Sequence, residues 1–542
     1  SFPFRPISGW CNNLNKPRLG STLTTLRRYM NETKYDDGFE SVRTRSFTGG
    51  VLPSARVVSN IIFNQKGISK TDPKYNHFLM QFGQWIAHDI IFSPNAVGPN
   101  NMELDCSSCS SVNITSNCAP IQVPADDPYF PITAAGRSQN CIRLTRTING
   151  QEGLGPRAPL NQNSHFLDLS PLYGSTDCVS RQIRTLQNGQ MKMFRSRGFI
   201  LPPQDKEDAN CQSPSSTPCF LAGDSRNSLH PGLIPLHTIY LKQHNKWAQQ
   251  FAQKHPNWDD EKIYQETRRL MIAMYQRHVY TEYLPKVIGN QMMGTFRLFT
   301  GATVSKTYEP TTNPAISAEF CSGAFRFGHT QVRQDIPRVG NTNRTLGSAV
   351  NLGENIFYAD SLYERPNSVL AMTQGMVNFP SLATGPPASF AVRNQMFEIR
   401  GKPGSGVDLI AVNIQRAREM GVHPYTDVRR RIDGRSINDF KDLSGLIDDS
   451  NIELLKRVYT NVNDIDLFVG VNLEKVVDPT SLLGLTGSRI IGEQFNALKR
   501  GDRFFFENSD SPRPLTNEEF NLLNSNPLST LVCTNTDGME SV

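Results

Sequence analysis

The chain lacks several features that would assign it to a functional class at once. It has no dense run of lysine and arginine, and its net charge is only +6 over 542 residues, so nucleic-acid binding has no support. No apolar run approaches the ~20 residues that a membrane-spanning helix needs. No internal repeat, no long low-complexity linker and no signal peptide is visible, and Ser1 suits the first residue of a processed, mature chain.

The composition that remains is that of a soluble globular protein. Hydrophobic residues make up 38% and charged residues 20% of the chain, which is enough for a sizeable core. The length alone allows several domains or one large one. Helical patterns dominate and no linker interrupts them, so we expect a mainly α, single large domain over residues 1–542 with little β structure.

The ten cysteines indicate an oxidising compartment. Most lie in loops rich in Ser, Asn and Pro rather than in apolar runs, which is typical of disulfides. A zinc site is the alternative, but no second CxxC pair and no paired histidines accompany them. Three glycosylation motifs also suit a secreted, extracellular protein. The six cysteines in these loops are Cys106, Cys109, Cys118, Cys141, Cys211 and Cys219. The glycosylation motifs begin at Asn31, Asn113 and Asn343.

Three long helices can be predicted from periodicity and end signals. Thr71-Asp72-Pro73 is a typical helix start, and an apolar stripe follows it. Residues 237–251 form a second helix. Residues 259–284 form a third, which acidic residues open and Pro285 should end. The Pro-, Gly-, Ser- and Asn-rich segments 96–165 and 201–235 are predicted to be loops.

The first chemical candidates lie on the predicted helix after Pro73, in Gln81-Phe-Gly-Gln-Trp-Ile-Ala-His88-Asp89. Gln84 and His88 are four residues apart and therefore project from one helical face. A histidine there can accept and return a proton near neutral pH. The alternative is an ordinary core histidine, which the residue alone does not exclude.

A calcium site is indicated by Asp89 together with the segment Ser164-His-Phe-Leu-Asp168-Leu-Ser170. Hydroxyl, carbonyl and carboxylate oxygens at alternating positions suit a hard cation. Taken alone, an Asp- and Ser-rich segment is more often a turn. With Asp89 the site would have two carboxylates and would fix the residue next to His88.

The remaining candidates are distributed along the chain. Arg226, in Ala222-Gly-Asp-Ser-Arg226, is either a surface arginine or a permanent charge directed at a peroxide oxygen. His329 follows in Phe325-Arg-Phe-Gly-His329. Asn413, in Val412-Asn-Ile-Gln-Arg416, has a side-chain oxygen that can accept the far N–H of a metal-binding histidine.

These segments together resemble the animal haem peroxidases of the peroxidase–cyclooxygenase superfamily. The resemblance runs through nearly the whole chain and looks most like secreted, peroxinectin-like invertebrate members. Further matches in the same order are Cys11-Asn-Asn-Leu-Asn-Lys-Pro, Leu172-Tyr-Gly-Ser, Leu236-His-Thr, His244-Asn245, Asp464-Ile-Asp-Leu-Phe-Val-Gly and Gly501-Asp-Arg-Phe. Many ordered matches are more specific than any one motif.

The resemblance implies a haem b cofactor, a calcium ion and a role for each candidate. His88 would be the distal acid–base residue beside Gln84 and Arg226. His329 would be the proximal iron ligand, supported by Asn413. The haem propionates would pair with Arg326 and Arg416. Calcium would be bound by Asp89, Ser164, Phe166 through its carbonyl, Asp168 and Ser170.

The chain departs from the family where haem is usually bonded to protein. Family members use an aspartate just before the distal histidine and a glutamate three residues after the distal arginine. Ala87 and Leu229 occupy these positions, and neither can form an ester. His230 stands where one branch has a sulfur-linking methionine. We therefore expect non-covalently bound haem.

The resemblance also implies disulfide pairs: Cys11–Cys178, Cys106–Cys118, Cys109–Cys141 and Cys211–Cys219. Arg489 replaces the usual partner of Cys533, which is then either free or paired with Cys321.

The resulting hypothesis is a secreted peroxidase that uses hydrogen peroxide to oxidise iodide, bromide, thiocyanate or phenols. The alternative is a non-catalytic haem-binding or adhesion protein, for which Arg500-Gly-Asp502 offers an integrin-type tripeptide and a cell-surface partner. A fatty-acid oxygenase is disfavoured, because Arg326 stands where cyclooxygenases have their radical-forming tyrosine.

Overall fold

The computed structural model describes residues 3–64, 70–109, 115–130, 141–151, 153–340 and 345–536. Within these residues the fold is mainly α, as the sequence predicts. The α-helices are α1 Ala55–Ile62, α2 His77–Ile90, α3 Ser170–Tyr173, α4 Asp177–Gln182, α5 Ile234–Lys254, α6 Asp260–His278, α7 Leu284–Thr295, α8 Ala318–Ser322, α9 Asp360–Tyr363, α10 Ser368–Asn378, α11 Leu409–Glu419, α12 Tyr425–Asp433, α13 Asp449–Val458, α14 Leu467–Leu473, α15 Leu485–Arg500, α16 Asn517–Asn524 and α17 Leu528–Asn535.

Shorter helical turns of two other kinds connect these helices. The 3₁₀ segments are Pro99–Asn101, Pro231–Leu233, Ala324–Thr330, Gly353–Asn355, Phe440–Leu443 and Val462–Asp464. The π-helical segments are Val279–Tyr283 and Ala391–Gln395. No helix in the described part of the chain is long and apolar enough to cross a membrane.

The strands are short and all pair antiparallel. One sheet has the order β1-β6-β5, and the others are the pairs β3-β4, β7-β8, β9-β10 and β2-β11. The strands are β1 Thr24–Thr25, β2 Thr71–Asn76, β3 Ile121–Gln122, β4 Cys141–Ile142, β5 Asn149–Gly150, β6 Ala158–Asn161, β7 Phe194–Ser196, β8 Phe199–Leu201, β9 Asp335–Ile336, β10 Val350–Asn351 and β11 Pro380–Leu382.

The helix that carries His88 begins later than its start signal predicts. Residues 71–76 form β2, which pairs with β11, so a helix start at Thr71-Asp72-Pro73 is wrong. The Asp72 side chain instead accepts hydrogen bonds from the backbone of Lys74 and Tyr75, which makes a local turn. Asn76 caps α2 by accepting from the backbone N–H of Leu79 at 3.2 Å.

The apolar stripe of α2 is buried as predicted, with Phe78, Phe82, Trp85 and Ile86 all at most 5% exposed. The second predicted helix lies within α5. The third does not end at Pro285 but continues into α7, whose helical backbone is broken at Gly289, where φ is 76°. A π-helical segment stands directly before the proline, and such a wider turn accommodates the missing N–H.

The predicted disulfide-tied loops are confirmed in three places. Cys106–Cys118, Cys109–Cys141 and Cys211–Cys219 are bonded. The predicted Cys11–Cys178 pair is wrong for this structure, because both thiols are free: Cys11 is half-buried in a turn and Cys178 is exposed in α4.

Cys321 and Cys533 are likewise unpaired. The first of the two alternatives for Cys533, a free thiol, is therefore the correct one. Cys321 is buried, with the Ser93 hydroxyl 3.7 Å from its sulfur.

The glycosylation and adhesion motifs differ in accessibility. Asn31 is exposed, whereas Asn113 and Asn343 lie outside the described residues. Asp502 is 1% exposed, and its carboxylate accepts hydrogen bonds from Arg5 and Asn12. The interpretation of Arg500-Gly-Asp502 as an adhesion motif is therefore wrong, since a partner could not reach the carboxylate.

The core of the described chain consists of two apolar clusters, each drawn from many elements. The first includes the inner faces of α2, α5, α6, α7 and α15. The second includes α1, α11, α13 and α14. A cavity that several of the predicted residues line lies between these clusters, because Phe325 and Phe327 of the first and Leu229 and Val392 of the second share its wall.

Candidate functional site

A cavity of about 1110 Å³ brings the two predicted histidines together. His88 and His329 both line it, one from α2 and one from the 3₁₀ segment Ala324–Thr330. The predicted residues Gln84, Arg226 and Arg326 also line the wall.

The part of the wall around His88 is built on α2. Gln84 and His88 share one face of the helix. Gly83, directly before Gln84, matters because a Cβ there would lie 2.5 Å from the Tyr283 hydroxyl. Gln84 Oε1 accepts from Gln81 Nε2 at 3.0 Å and lies 2.9 Å from His230 Nε2. His230, which stands where one branch of the resembling family has a methionine, therefore contacts Gln84 directly.

His88 is buried, and its Nδ1 has no hydrogen-bond partner among the described residues. Burial, reinforced by the nearby positive charge of Arg226, lowers its pKa well below the usual range. The neutral ring can therefore act as a proton acceptor at neutral pH.

Arg226 is held on the distal side by two groups. Its Nη2 donates to the backbone carbonyl of His88 at 3.0 Å. Asp224 pairs with it through Nε at 2.9 Å and Nη2 at 2.5 Å. Burial raises the pKa of Asp224, but the ion pair with Arg226 outweighs this and sets it at about 2. Arg226 also lies over the Phe92 ring at 4.3 Å.

Asp224 is a site residue that the sequence reasoning missed. It stands two positions before Arg226, and an acid at that spacing could have indicated a carboxylate that fixes the arginine. The ion pair explains why a guanidinium that is 25% exposed keeps one orientation.

The proximal side confirms a contact and corrects its direction. Asn413 of α11 lies 2.8 Å from His329, but its Nδ2 faces Nδ1, so the amide donates to the ring. The amide oxygen is occupied because it accepts from Arg326 Nη1 at 2.9 Å. The sequence predicts the reverse, with the Asn413 oxygen accepting from the ring.

The tautomer of His329 follows from this polarity. Nδ1 accepts, so the ring proton lies on Nε2, the nitrogen without a hydrogen bond in the described chain. A metal bound at Nε2 would displace that proton, and the neutral ring would then carry its proton on Nδ1. Asn413 could accept a hydrogen bond from this Nδ1–H only if its amide group were rotated to exchange the oxygen and the nitrogen. Burial, with the charge of Arg326, lowers the pKa of His329 to about 3 and keeps the ring neutral.

The two predicted propionate partners lie in different places. Arg326 lines the cavity, and its Nε donates to the carbonyl of Cys321 at 2.7 Å. Arg416 is absent from the cavity wall, since its Nη1 donates to Glu419 at 2.8 Å and to Thr147. Burial lowers the pKa of Arg326, and the like charge of Arg416 adds to that effect.

The predicted calcium ligands also lie together, beside α2. Ser170 donates to Asp89 Oδ1 from its hydroxyl at 2.8 Å and from its backbone at 2.7 Å, and Ser164 donates to Asp168. Phe166, which lies between Ser164 and Asp168 in the sequence, is fully buried. Burial, and then the charge of Asp168, raises the pKa of Asp89, so the two carboxylates are close neighbours.

No set of three or more His, Cys, Asp or Glu side chains arranged for a metal occurs in the described ranges. The calcium candidate has two carboxylates, with hydroxyl and carbonyl oxygens as its other potential ligands.

Comparisons with known proteins agree with this geometry. The animal haem peroxidase model matches residues 4–542. "Heme peroxidase 2" of Caenorhabditis elegans is 45% identical over 538 residues, which cover 98% of this chain and 74% of that protein. "Chorion peroxidase" of Drosophila melanogaster is 31% identical over 98% of this chain and 66% of its own length.

Solved structures share the fold over nearly the full chain. Peroxidase A from Dictyostelium discoideum has a TM-score of 0.83 at 27% identity, covering 100% of this chain and 99% of that one. A fatty acid alpha-dioxygenase of Arabidopsis thaliana has a TM-score of 0.76 at 17% identity, covering 99% and 81%, and shares the fold alone. The chain belongs to the animal haem peroxidase family, and its enzyme class is peroxidase.

Proposed function

We propose that this peroxidase holds haem b without covalent links between His88 and His329 and uses hydrogen peroxide to oxidise small donors. The observation that carries the proposal is a cavity lined by two neutral histidines, with an arginine–carboxylate pair beside one of them. When bound, haem supplies the redox chemistry. The protein residues supply binding, proton transfer and charge stabilisation.

The cavity suits haem by its shape and by its charges. Apolar side chains of several kinds, including phenylalanine, methionine and aliphatic residues, form most of the wall and would bury the porphyrin. Arg326 is half-buried in the cavity wall and feels the like charge of Arg416, which favours an anionic group such as a propionate. The role of Arg416 stays a prediction, because its contacts lie outside the cavity wall.

Proton transfer is assigned to His88. Its neutral ring would accept the proton from one oxygen of hydrogen peroxide and return it to the other as the O–O bond breaks. Arg226 would stabilise the negative charge that develops on the departing oxygen, and Asp224 would hold the guanidinium in place. Gln84 would complete the polar rim.

Non-covalent binding is supported by the residues at the wall. Ala87 and Leu229 both line the cavity, and neither has a carboxylate. His230 is turned towards Gln84 and has no thioether. Haem without such links is less distorted and a weaker oxidant, so we expect iodide, thiocyanate or phenols as donors and little chloride oxidation.

We further propose a calcium ion at Asp89 and Asp168, completed by Ser164, Ser170 and the Phe166 carbonyl. The buried Asp89 Oδ2 accepts no hydrogen bond of normal geometry in the described chain, although the Tyr275 hydroxyl is near enough to lower the pKa of Asp89, and such an atom suits a metal ligand. Three disulfides and the exposed Asn31 support a secreted, extracellular protein.

An absorption spectrum of the purified holoenzyme, before and after addition of hydrogen peroxide, tests the proposal. We expect a Soret band that changes on peroxide addition and returns when iodide or a phenol is added. A protein without a Soret band, or a band that ignores peroxide, would contradict it.

A further inference from the structure

A second pocket lies apart from the two-histidine cavity, with no wall residue in common. It has about 470 Å³ of empty space between residues 3–5, helix α6 and residues 504–515. Four arginines line it among apolar side chains: Arg5, Arg268, Arg269 and Arg513. Neither the family nor the proposed peroxidase chemistry accounts for this set.

Three of these arginines have acidic partners. Arg5 Nη2 lies 2.6 Å from Asp502. Arg269 and Arg513 both pair with Glu266, the former at 3.0 Å. These ion pairs account for the positions of three side chains without any ligand.

Arg268 is different. Glu519 pairs with Arg269, so the carboxylates of Asp502, Glu266 and Glu519 balance the charges of the other three arginines. None of these carboxylates is left to pair with Arg268. Arg268 is 1% exposed and donates only from Nη1, to the backbone carbonyl of Arg5 at 2.5 Å. Its Nε and Nη2, and the Nη1 of Arg5, have no hydrogen-bond partner among the described residues.

An unmatched buried guanidinium is costly. Arginine cannot lose its proton in a protein, so it stays charged in the pocket wall. A buried charge without a partner destabilises the fold far more than a paired one. Three unpartnered donors at one pocket therefore point to an anion that accepts from them.

Asp168, whose pKa the charges of Arg5 and Arg268 affect, does not provide that anion. Burial raises the pKa of Asp168, and the charges of Arg5 and Arg268 oppose this. The Asp168 oxygens, however, accept from Ser164 and from the backbone of Ser170 at 3.2 Å. Asp168 therefore leaves the free donors of Arg268 unsatisfied.

We propose that this pocket binds a small organic acid as its carboxylate, with a short apolar tail. The carboxylate would accept hydrogen bonds from Arg268 and Arg5, whose planar guanidinium groups match its geometry. The tail would contact Phe4, Phe505 and Ile272, which also line the pocket. The apolar wall favours such an acid over an inorganic oxyanion, which would leave those side chains without a partner.

Calorimetric titration of the holoenzyme with butyrate and with butyramide tests the charge requirement, because the two probes have nearly the same size. We expect butyrate to bind at least about tenfold more tightly, since only it makes charge-assisted hydrogen bonds. The Soret band is recorded in parallel and should stay unchanged. Equal affinity for the two probes would overturn the proposal.

Variants of α6 locate the site. Arg268→Gln removes the charge and should weaken butyrate binding at least about tenfold. Arg277→Gln is the matched control, because Arg277 is on the same helix and outside the pocket wall, and it should bind butyrate like the wild type. Ala273→Leu keeps every charge but fills the pocket, so it should also abolish butyrate binding. This variant tests the site even if Arg268→Gln does not fold.

Two further outcomes would overturn the proposal. Butyrate that binds Arg268→Gln or Ala273→Leu as tightly as the wild type occupies another place. Butyrate that shifts the Soret band on binding occupies the haem cavity. Neither result touches the proposed peroxidase function, which the spectrum with hydrogen peroxide tests separately.

Discussion

The two histidines at the cavity are held in opposite ways. His88 lies on the regular helix α2, and its Nδ1 has no hydrogen-bond partner in the described chain. His329 lies on a 3₁₀ segment, and Asn413 contacts its Nδ1 at 2.8 Å. Both rings are kept neutral by burial.

This difference matches two different tasks. A group that takes and returns a proton needs a ring nitrogen that no other residue occupies. A metal ligand needs a fixed ring orientation, which a second residue provides. The arginines follow the same division, since Arg226 is tied to Asp224 on one side and Arg326 to Asn413 on the other.

The largest effect is expected from His329→Ala. Without the iron ligand the protein should lose its haem or its normal Soret band, because apolar contact and propionate pairing alone do not fix iron. His423→Ala is a matched control, since His423 is also largely buried but contacts Asp427 and the Glu32 carbonyl. Absorption per mole of protein is measured, and full haem content in His329→Ala would contradict the assignment.

His88→Gln should separate the two sides. The variant should keep its haem, because the proximal ligand is untouched, yet react with peroxide about 10²–10⁴-fold more slowly for lack of a proton acceptor. Stopped-flow absorption measures this rate. Asp224→Asn should slow it less, since Arg226 keeps its charge and its bond to the His88 carbonyl. A wild-type rate in His88→Gln would assign the proton transfer to another residue.

Removal of calcium should affect both stability and the distal side, because Asp89 adjoins His88. At ~100-fold excess over the dissociation constant, a bound ion contributes roughly 2.7 kcal/mol to the free energy of unfolding. Chelation should therefore lower the melting temperature and alter the Soret band, as should Asp89→Asn. Glu453→Gln, a substitution of an exposed acid, is the control. A chelated protein, free of calcium by metal analysis, with an unchanged melting temperature would refute the site.

The smallest effect concerns a buried histidine away from the cavity wall. His244 of α5 contacts the Tyr173 hydroxyl and the Gly189 carbonyl, both at 2.8 Å. Burial lowers its pKa from 6.5 to about 4. The unfolded chain then binds a proton that the folded one does not, so stability is complete above pH 6.5 and falls between pH 6.5 and 4.

The expected slope is about 1.4 kcal/mol per pH unit for this one group. His244→Gln should flatten the pH dependence of the free energy of unfolding by about that amount. Denaturant titrations at pH 7, 6 and 5 measure it. A variant with the same slope as the wild type would show that His244 does not contribute to the pH dependence of stability.

Local patterns were enough to predict the stripe of α2, the disulfide-tied loops and the helix that carries His237. They failed where a distant segment decides the local structure. Residues 71–76 form a strand because β11, some 300 residues later, pairs with them. Pro285 does not end its helix because a π-helical segment precedes it.

The same limit applies to the site. The resemblance predicted which residues surround the cavity, and the structure brings His88, Arg226, His329 and Asn413 to it or beside it. The direction of the Asn413 amide could not be predicted, because Arg326 occupies its oxygen. Arg416 pairs with Glu419, three residues later on the same helix. The spacing of residues in the sequence cannot show whether the arginine makes this ion pair or faces the cavity.

The central claim is that haem lies between His88 and His329 without a bond to the protein. Extraction of the denatured holoenzyme with acidified organic solvent tests it most directly, because Ala87 and Leu229 line the cavity and cannot form esters. Intact protoporphyrin should pass completely into the solvent, leaving unmodified peptides by mass spectrometry. Haem that remains on the polypeptide, with a peptide of the added mass, would contradict the account.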